Sequence, residues 1–164
     1  MDALSLLRSQ HREVKQLFSR FEKTGSESKK KSIFLRVADA LAAHAEIEET
    51  IFYPAAFRDA LEDQLREAVE EHLAAKRLIA DLLEMDVDDR QFDAKMTVLA
   101  EQIRHHIEEE QDDLFPKVRK LLSRAELNRL GNQMSAKFDA LMEHEPRTDV
   151  PRETEEAARL GDQP

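Results

Sequence analysis

The sequence contains twice a combination of side chains that binds metal ions well, a histidine followed four residues later by a glutamate. His44 and Glu48 form the first pair, and His106 and Glu110 form the second. Residues four apart on an α-helix lie one turn apart on the same face, so an imidazole and a carboxylate can reach neighbouring ligand positions. This donor set favours iron, manganese or zinc, and a chain without cysteine has no thiolate site or iron–sulfur cluster.

The second pair has a neighbouring alternative, because His105 is also followed four residues later by a glutamate, Glu109. Hydrophobic periodicity distinguishes the two pairs. Steps of three and four residues back from Glu110 pass through His106 and then apolar residues, whereas the same steps from Glu109 pass mostly through polar residues. We therefore predict that His106 and Glu110 face the core and that His105 lies at the flank of the helix.

Four apolar stripes with helical spacing position these residues, and each stripe contains one histidine. The stripes cover residues 4–21, 34–51, 65–83 and 92–110, and their histidines are, in order, His11, His44, His72 and His106. The polar segment 24–32 is predicted to be a loop, and Asp89 is predicted to cap the fourth helix. Ser123 and Glu126 match a capping box, which predicts a fifth helix.

The two halves of this pattern are related by an internal repeat. "HAEIEETIFYP" (44–54) aligns without gaps on "HIEEEQDDLFP" (106–116), and "HREVKQLF" (11–18) aligns on "HLAAKRLI" (72–79), with offsets of 62 and 61 residues. Each half is therefore a helix pair with one histidine on its first helix and a histidine–glutamate pair on its second. Two such pairs predict an all-α, antiparallel up-down four-helix bundle.

The length and composition of the chain suggest how it is divided and which partners it does not bind. We divide the 164 residues into the bundle (1–122), a C-terminal helix packed on it (123–145) and a charged, proline-containing tail (146–164) that is predicted to be mostly disordered. The net charge of −10 argues against nucleic acid or an anionic membrane as a partner. The sequence has neither a signal peptide nor a membrane span, so a cytoplasmic location is expected.

Buried carboxylates must be paired, protonated or bound to metal, and this requirement favours a metal site over a metal-free helical scaffold. Ferritin-like diiron bundles use Glu-x-x-His motifs with glutamates on all four helices. This chain instead has four histidines, two glutamates and a spacing of four residues, so a ferritin-type site is disfavoured.

The order of these residues, with "FYP" and "LFP" closing the second and fourth helices, resembles the hemerythrin-like (HHE cation-binding) domain family over about residues 1–120. The resemblance implies a bundle around a non-haem diiron centre with an oxo or hydroxo bridge. It implies six metal ligands, with Glu48 and Glu110 bridging two iron ions: His11, His44, Glu48, His72, His106 and Glu110. Manganese or zinc remain alternative metals.

Two departures separate this chain from the oxygen-carrying hemerythrins. Those proteins have a second histidine on the third helix, where this chain has Lys76. Their last motif is His-x-x-x-x-Asp, where this chain has His106-x-x-x-Glu110. We therefore expect binding or sensing of oxygen, peroxide or nitric oxide, with or without peroxidase-, catalase- or oxidase-like turnover. A non-enzymatic iron-handling or metal-responsive regulatory module is the alternative, and the sequence identifies no protein partner.

Overall fold

The computed structural model describes residues 1–161, and they form a bundle of helices. The principal helices are α1 (Ala3–Lys23), α2 (Glu27–Ile47), α3 (Glu62–Leu83), α4 (Arg90–Glu109), α5 (Arg124–Met142) and the short α6 (Val150–Glu153). The α2 and α4 helices each continue through a π-helical turn, Glu48–Phe52 and Glu110–Leu114, into a further α-helical segment, Tyr53–Ala56 and Phe115–Leu121. The predicted fold, a four-helix bundle with an additional C-terminal helix, is confirmed.

Side-chain caps fix where the helices begin. Asp89 accepts a hydrogen bond from the backbone N–H of Gln91, and Ser123 forms a capping box with Glu126, as predicted. The predicted loop over 24–32 is too long, because α2 already begins at Glu27. Ser26 caps this helix through the N–H of Lys29, so a run of lysines and serines that looks loop-like forms the exposed first turns of α2.

The core consists of two apolar clusters with a polar layer between them. One cluster includes Val14, Leu41 and Ile79, and the other includes Leu7, Ile47 and Val69. On α1, α2 and α3 the histidine lies in sequence between residues of the two clusters, so the polar layer crosses the middle of the bundle. No helix within residues 1–161 is long and apolar enough to cross a lipid bilayer.

The segment after α5 differs from the predicted disordered tail over 146–164. A 3₁₀ turn (Pro146–Asp149) and α6 fold back onto the bundle, and Val150 is fully buried in an apolar cluster. Arg147 donates hydrogen bonds to Asp39 from its backbone N–H (3.0 Å) and its guanidinium (2.6 Å). A few apolar and paired residues thus anchor a segment that is polar on average. Residues 162–164 of the predicted tail lie outside the described residues.

We expect Val150→Ala to lower the free energy of unfolding by about 2 kcal/mol, because two buried methyl groups are lost and a small cavity remains. Urea denaturation followed by circular dichroism measures this change. Val98→Ala is the matched control, because Val98 is 42% exposed, and it should change stability by less than about 0.5 kcal/mol. Equal effects of the two substitutions would show that α6 does not contribute to the stability of the bundle.

Candidate metal centre

The structure brings the six predicted ligands together in the polar layer, and each is 7% exposed or less. Their donor atoms form two overlapping groups, within each of which all atoms lie within 4.8 Å of one another. Position A denotes the first group, His11, His44, Glu48 and Glu110. Position B denotes the second group, Glu48, His72, His106 and Glu110. The two glutamates belong to both positions, whereas each histidine belongs to one.

The contacts of Glu48 place its carboxylate between the two positions. Its Oε1 atom lies 3.1 Å from Nε2 of His44 and 3.2 Å from Nε2 of His72. Nε2 of His106 is 3.9 Å away. One carboxylate oxygen therefore faces histidines of both positions.

Glu110 is placed in the same way from the opposite half of the chain. Its Oε1 lies 2.7 Å from Nε2 of His106, at position B, and its Oε2 lies 3.3 Å from Nε2 of His11, at position A. Nε2 of His72 and Nε2 of His106 are 3.3 Å apart. That separation suits two ligand atoms that are each about 2.1 Å from a common ion.

The unsatisfied polar atoms show that this donor set fits cations. Among the described residues, the buried side-chain atoms without an aligned hydrogen-bond partner are Gln10 Nε2, His11 Nε2, His44 Nε2, Glu48 Oε1, Glu48 Oε2 and Glu110 Oε2. Five of these six atoms belong to the predicted ligands. Buried polar atoms are normally hydrogen-bonded, and an array of free imidazole nitrogens and carboxylate oxygens is what hard or borderline divalent ions coordinate.

The electrostatics of the layer keep its carboxylates ionised. Burial is the largest influence on Glu48 and raises its pKa, but the charge of His44 and contacts with His106, His44 and His72 outweigh burial and hold the pKa well below its usual value. Burial alone would lower the pKa of His106, yet the nearby Glu110 and Glu48 carboxylates raise it well above the usual value. Positive charge is therefore stabilised between the carboxylates.

Each of the four histidines donates a hydrogen bond from Nδ1 to a side-chain oxygen, which leaves Nε2 directed at the carboxylates. These acceptors were not predicted from the sequence. The bonds are His11 to Gln111 (2.8 Å), His44 to Gln10 (2.6 Å), His72 to Glu49 (2.7 Å) and His106 to Glu71 (3.2 Å). Such partners fix the tautomer and orientation of ligating imidazoles. The signal that could have found them is adjacency, because every acceptor is next in sequence to a predicted ligand.

The π-helical turns were also not foreseen, and each begins at one of the two glutamates, Glu48 and Glu110. A π-helical turn accommodates one extra residue within a helix, and such turns are frequent at functional sites. Here the glutamate points into the layer while the next residue, Glu49 or Gln111, reaches a histidine of the other half of the chain.

Tyr53 lies against the same layer and is fully buried. Its hydroxyl donates a 2.7 Å hydrogen bond to Oε1 of Glu110, and its ring stacks on His72. Burial raises the pKa of Tyr53 well above its usual value, and the Glu110 and Glu48 carboxylates add to this effect. The phenol therefore keeps its proton. In the other half of the repeat, Phe115 stacks on His11 without a hydroxyl.

His105 and Lys76 lie outside this set of contacts. The side chain of His105 is 67% exposed and pairs with Glu109 (2.9 Å), as the periodicity predicts. Lys76 lines a small cavity beside the four histidines, while its ammonium group pairs with Glu153 of α6 at 2.6 Å. The cavity measures about 30 Å³, and its other walls are mostly aliphatic. It can hold a water or diatomic molecule but not a typical organic substrate.

Comparison with known proteins agrees with this fold. The family model described as the hemerythrin HHE cation binding domain matches residues 2–118. The crystal structure of a hemerythrin HHE cation binding domain-containing protein from Mycobacterium kansasii superposes with a TM-score of 0.77 and 22% identity, over 93% of this chain and 98% of that chain. A protein of Nostoc sp. (strain PCC 7120 / SAG 25.82 / UTEX 2576) named DNA nickase is 25% identical over 136 residues, which are 83% of this chain and 39% of that protein.

Proposed function

This chain belongs to the hemerythrin HHE cation-binding domain family, and from that premise we propose that it is a non-haem diiron protein that binds or senses oxygen, peroxide or nitric oxide. The proposed ligands are the six side chains of the polar layer: His11, His44, Glu48, His72, His106 and Glu110. The observation that carries the proposal is the sharing of Glu48 and Glu110 between two groups of four donor atoms. Two cations held by shared carboxylates are the arrangement that this donor set favours.

The side chains around the layer have distinct roles in this proposal. When bound, a pair of iron ions supplies one-electron redox chemistry next to a position open to a small molecule. The hydroxyl of Tyr53 donates a hydrogen bond to Oε1 of Glu110 and orients that carboxylate. The small volume of the cavity excludes large molecules, which limits the ligand to a few atoms. The four Nδ1 hydrogen bonds hold the imidazoles ready for binding.

The alternative proposal is a non-enzymatic iron-handling or metal-responsive regulatory module. The contact between α6 and the cavity supports this alternative. Lys76 lines the cavity, and its ammonium group pairs with Glu153 of α6. The nickase name belongs to a protein of which this chain covers 39%. We do not extend that activity to this chain, because a net charge of −10 opposes binding to the phosphate backbone.

Metal analysis and an optical spectrum of freshly purified protein, before and after addition of peroxide, test the proposal. We expect about two irons per chain and near-ultraviolet charge-transfer bands that change with the oxidant, as the carboxylate-bridged donor set implies. Rapid consumption of peroxide would favour turnover, and a spectral change without consumption would favour the regulatory alternative. Two zinc ions or a single metal would contradict the redox proposal.

A further inference from the structure

The four acceptors that bond the histidine Nδ1 atoms are related by the internal repeat. Gln10 precedes His11 as Glu71 precedes His72, and Glu49 follows Glu48 as Gln111 follows Glu110. Both halves therefore make the same hydrogen bonds. The residue before the first-helix histidine accepts from the second-helix histidine of its own half, and the residue after each shared glutamate accepts from the first-helix histidine of the other half.

Charge breaks this symmetry between the two positions. At position A both acceptors are neutral amides, Gln10 and Gln111. At position B both acceptors are glutamates, Glu49 and Glu71. The ligand sets themselves are the same, two histidines and two shared carboxylates, so the acceptors are the principal chemical difference between the positions.

A carboxylate acceptor strengthens the metal affinity of a histidine in two ways. It raises the basicity of the imidazole by drawing on its Nδ1–H, and it places a negative charge close to the cation. Glu49 and Glu71 are 27% and 29% exposed, so water screens their charges only in part. An amide acceptor orients the ring but adds no charge.

Tyr53 acts in the opposite direction. Its hydrogen bond to Oε1 of Glu110 withdraws electron density from the oxygen that faces His106, which weakens a donor at position B. One neutral donor is a smaller influence than two charged acceptors, because charge-assisted hydrogen bonds are roughly twice as strong as neutral ones. The balance therefore favours position B.

We propose that the two metal positions are inequivalent, that position B binds the first cation, and that Glu49 and Glu71 are the positioning residues that set this order. The inference rests on the proposed function, because it requires that both positions hold a cation. Mutation of such an outer partner typically lowers metal affinity by about 10- to 100-fold. We therefore expect the two binding steps to differ by at least about tenfold.

The test is titration of the metal-free full-length protein with Co²⁺, followed by its visible absorption bands and by calorimetry. The wild type should bind two equivalents in two resolved steps. His72→Ala should remove the tight step, and His11→Ala should remove the weak step. The double variant E49Q/E71Q should weaken the tight step by at least about tenfold and bring the two steps together.

Two further double variants make the test independent of a general loss of affinity. Q10E/Q111E adds the same acceptor type at position A and should strengthen the weak step. E70Q/E108Q removes two exposed glutamates from the same region of α3 and α4, and it should leave both steps unchanged because neither residue accepts from a histidine Nδ1 among the described residues.

The outcomes separate this inference from the proposed function. Two Co²⁺ ions bound with equal affinity, or a tight step that survives His72→Ala, would overturn the inference and leave the two-cation centre intact. The inference would also be overturned if E49Q/E71Q, like E70Q/E108Q, left both binding steps unchanged. Saturation below two Co²⁺ ions per chain would overturn the proposed function and this inference together.

Discussion

A Glu48→Gln protein is expected to fold and to bind less than one cation per chain. Glu48 Oε1 faces histidines of both positions, so one substitution affects both metal ions. Glutamine keeps the size of the side chain but replaces an anionic oxygen with an amide group, which coordinates cations weakly. Because the substitution would remove a carboxylate shared by both positions rather than an outer hydrogen bond, the affinity should fall by more than the 10- to 100-fold typical of the outer partners.

Metal content per chain, measured after purification and after dialysis against a weak chelator, checks this expectation. Glu109→Gln is the matched control, because Glu109 also follows a histidine by four residues on the same helix but pairs with His105 at the surface. The control should keep the full metal content. If Glu48→Gln retains two metal ions, the polar layer is not the metal centre.

Removal of the metal ions from the wild type should lower its melting temperature by about 10 °C. A cation pair present at a thousandfold excess over its dissociation constant stabilises the folded state by about 4 kcal/mol. For a chain of this length, each kcal/mol corresponds to roughly 2–4 °C. Without cations, two buried carboxylates and four histidines must share protons in a layer with few other partners.

Calorimetry with and without a strong chelator measures the shift, and readdition of the metal should restore the original melting temperature. The Glu48→Gln protein is the control for non-specific effects of the chelator, because it should melt at the same temperature in both conditions. An equal shift in both proteins would show that the chelator acts elsewhere. No shift in the wild type would show that the layer is stable without cations.

The burial of the six proposed ligands could be predicted from the sequence because they follow the periodicity of the apolar stripes. His106 and Glu110 step onto an apolar stripe, whereas His105 does not, and the repeat selects the same pair. Residues that contact the histidines from outside the apolar stripes do not follow this periodicity. Apart from their positions next to a predicted ligand, Glu49 and Glu71 resemble ordinary surface glutamates, and the packing of neighbouring helices determines their contacts with His72 and His106.

Hydrophobic periodicity could not predict the π-helical turns or the order of the segment after α5, for two physical reasons. A π-helical turn needs one extra residue per turn and has no distinctive composition, so the turns at Glu48 and Glu110 left no signal. The segment after Pro146 is rich in charge, and its order depends on a few contacts, among them the buried Val150 and the ion pairs of Arg147 with Asp39 and of Glu153 with Lys76. The average composition of a segment does not indicate whether such contacts form.

The distribution of ligands between the two halves of the repeat has a mechanical consequence. Both histidines of position A come from the first half of the chain, and both histidines of position B come from the second half. Glu48 and Glu110 each belong to both positions, so a bound cation pair would act as a cross-link between the two halves of a chain without disulfides. Unlike a disulfide, such a cross-link is lost on unfolding, so it would stabilise the folded chain without constraining the unfolded one. Under force applied to the termini, the cation pair would add to the two apolar clusters in holding the halves together.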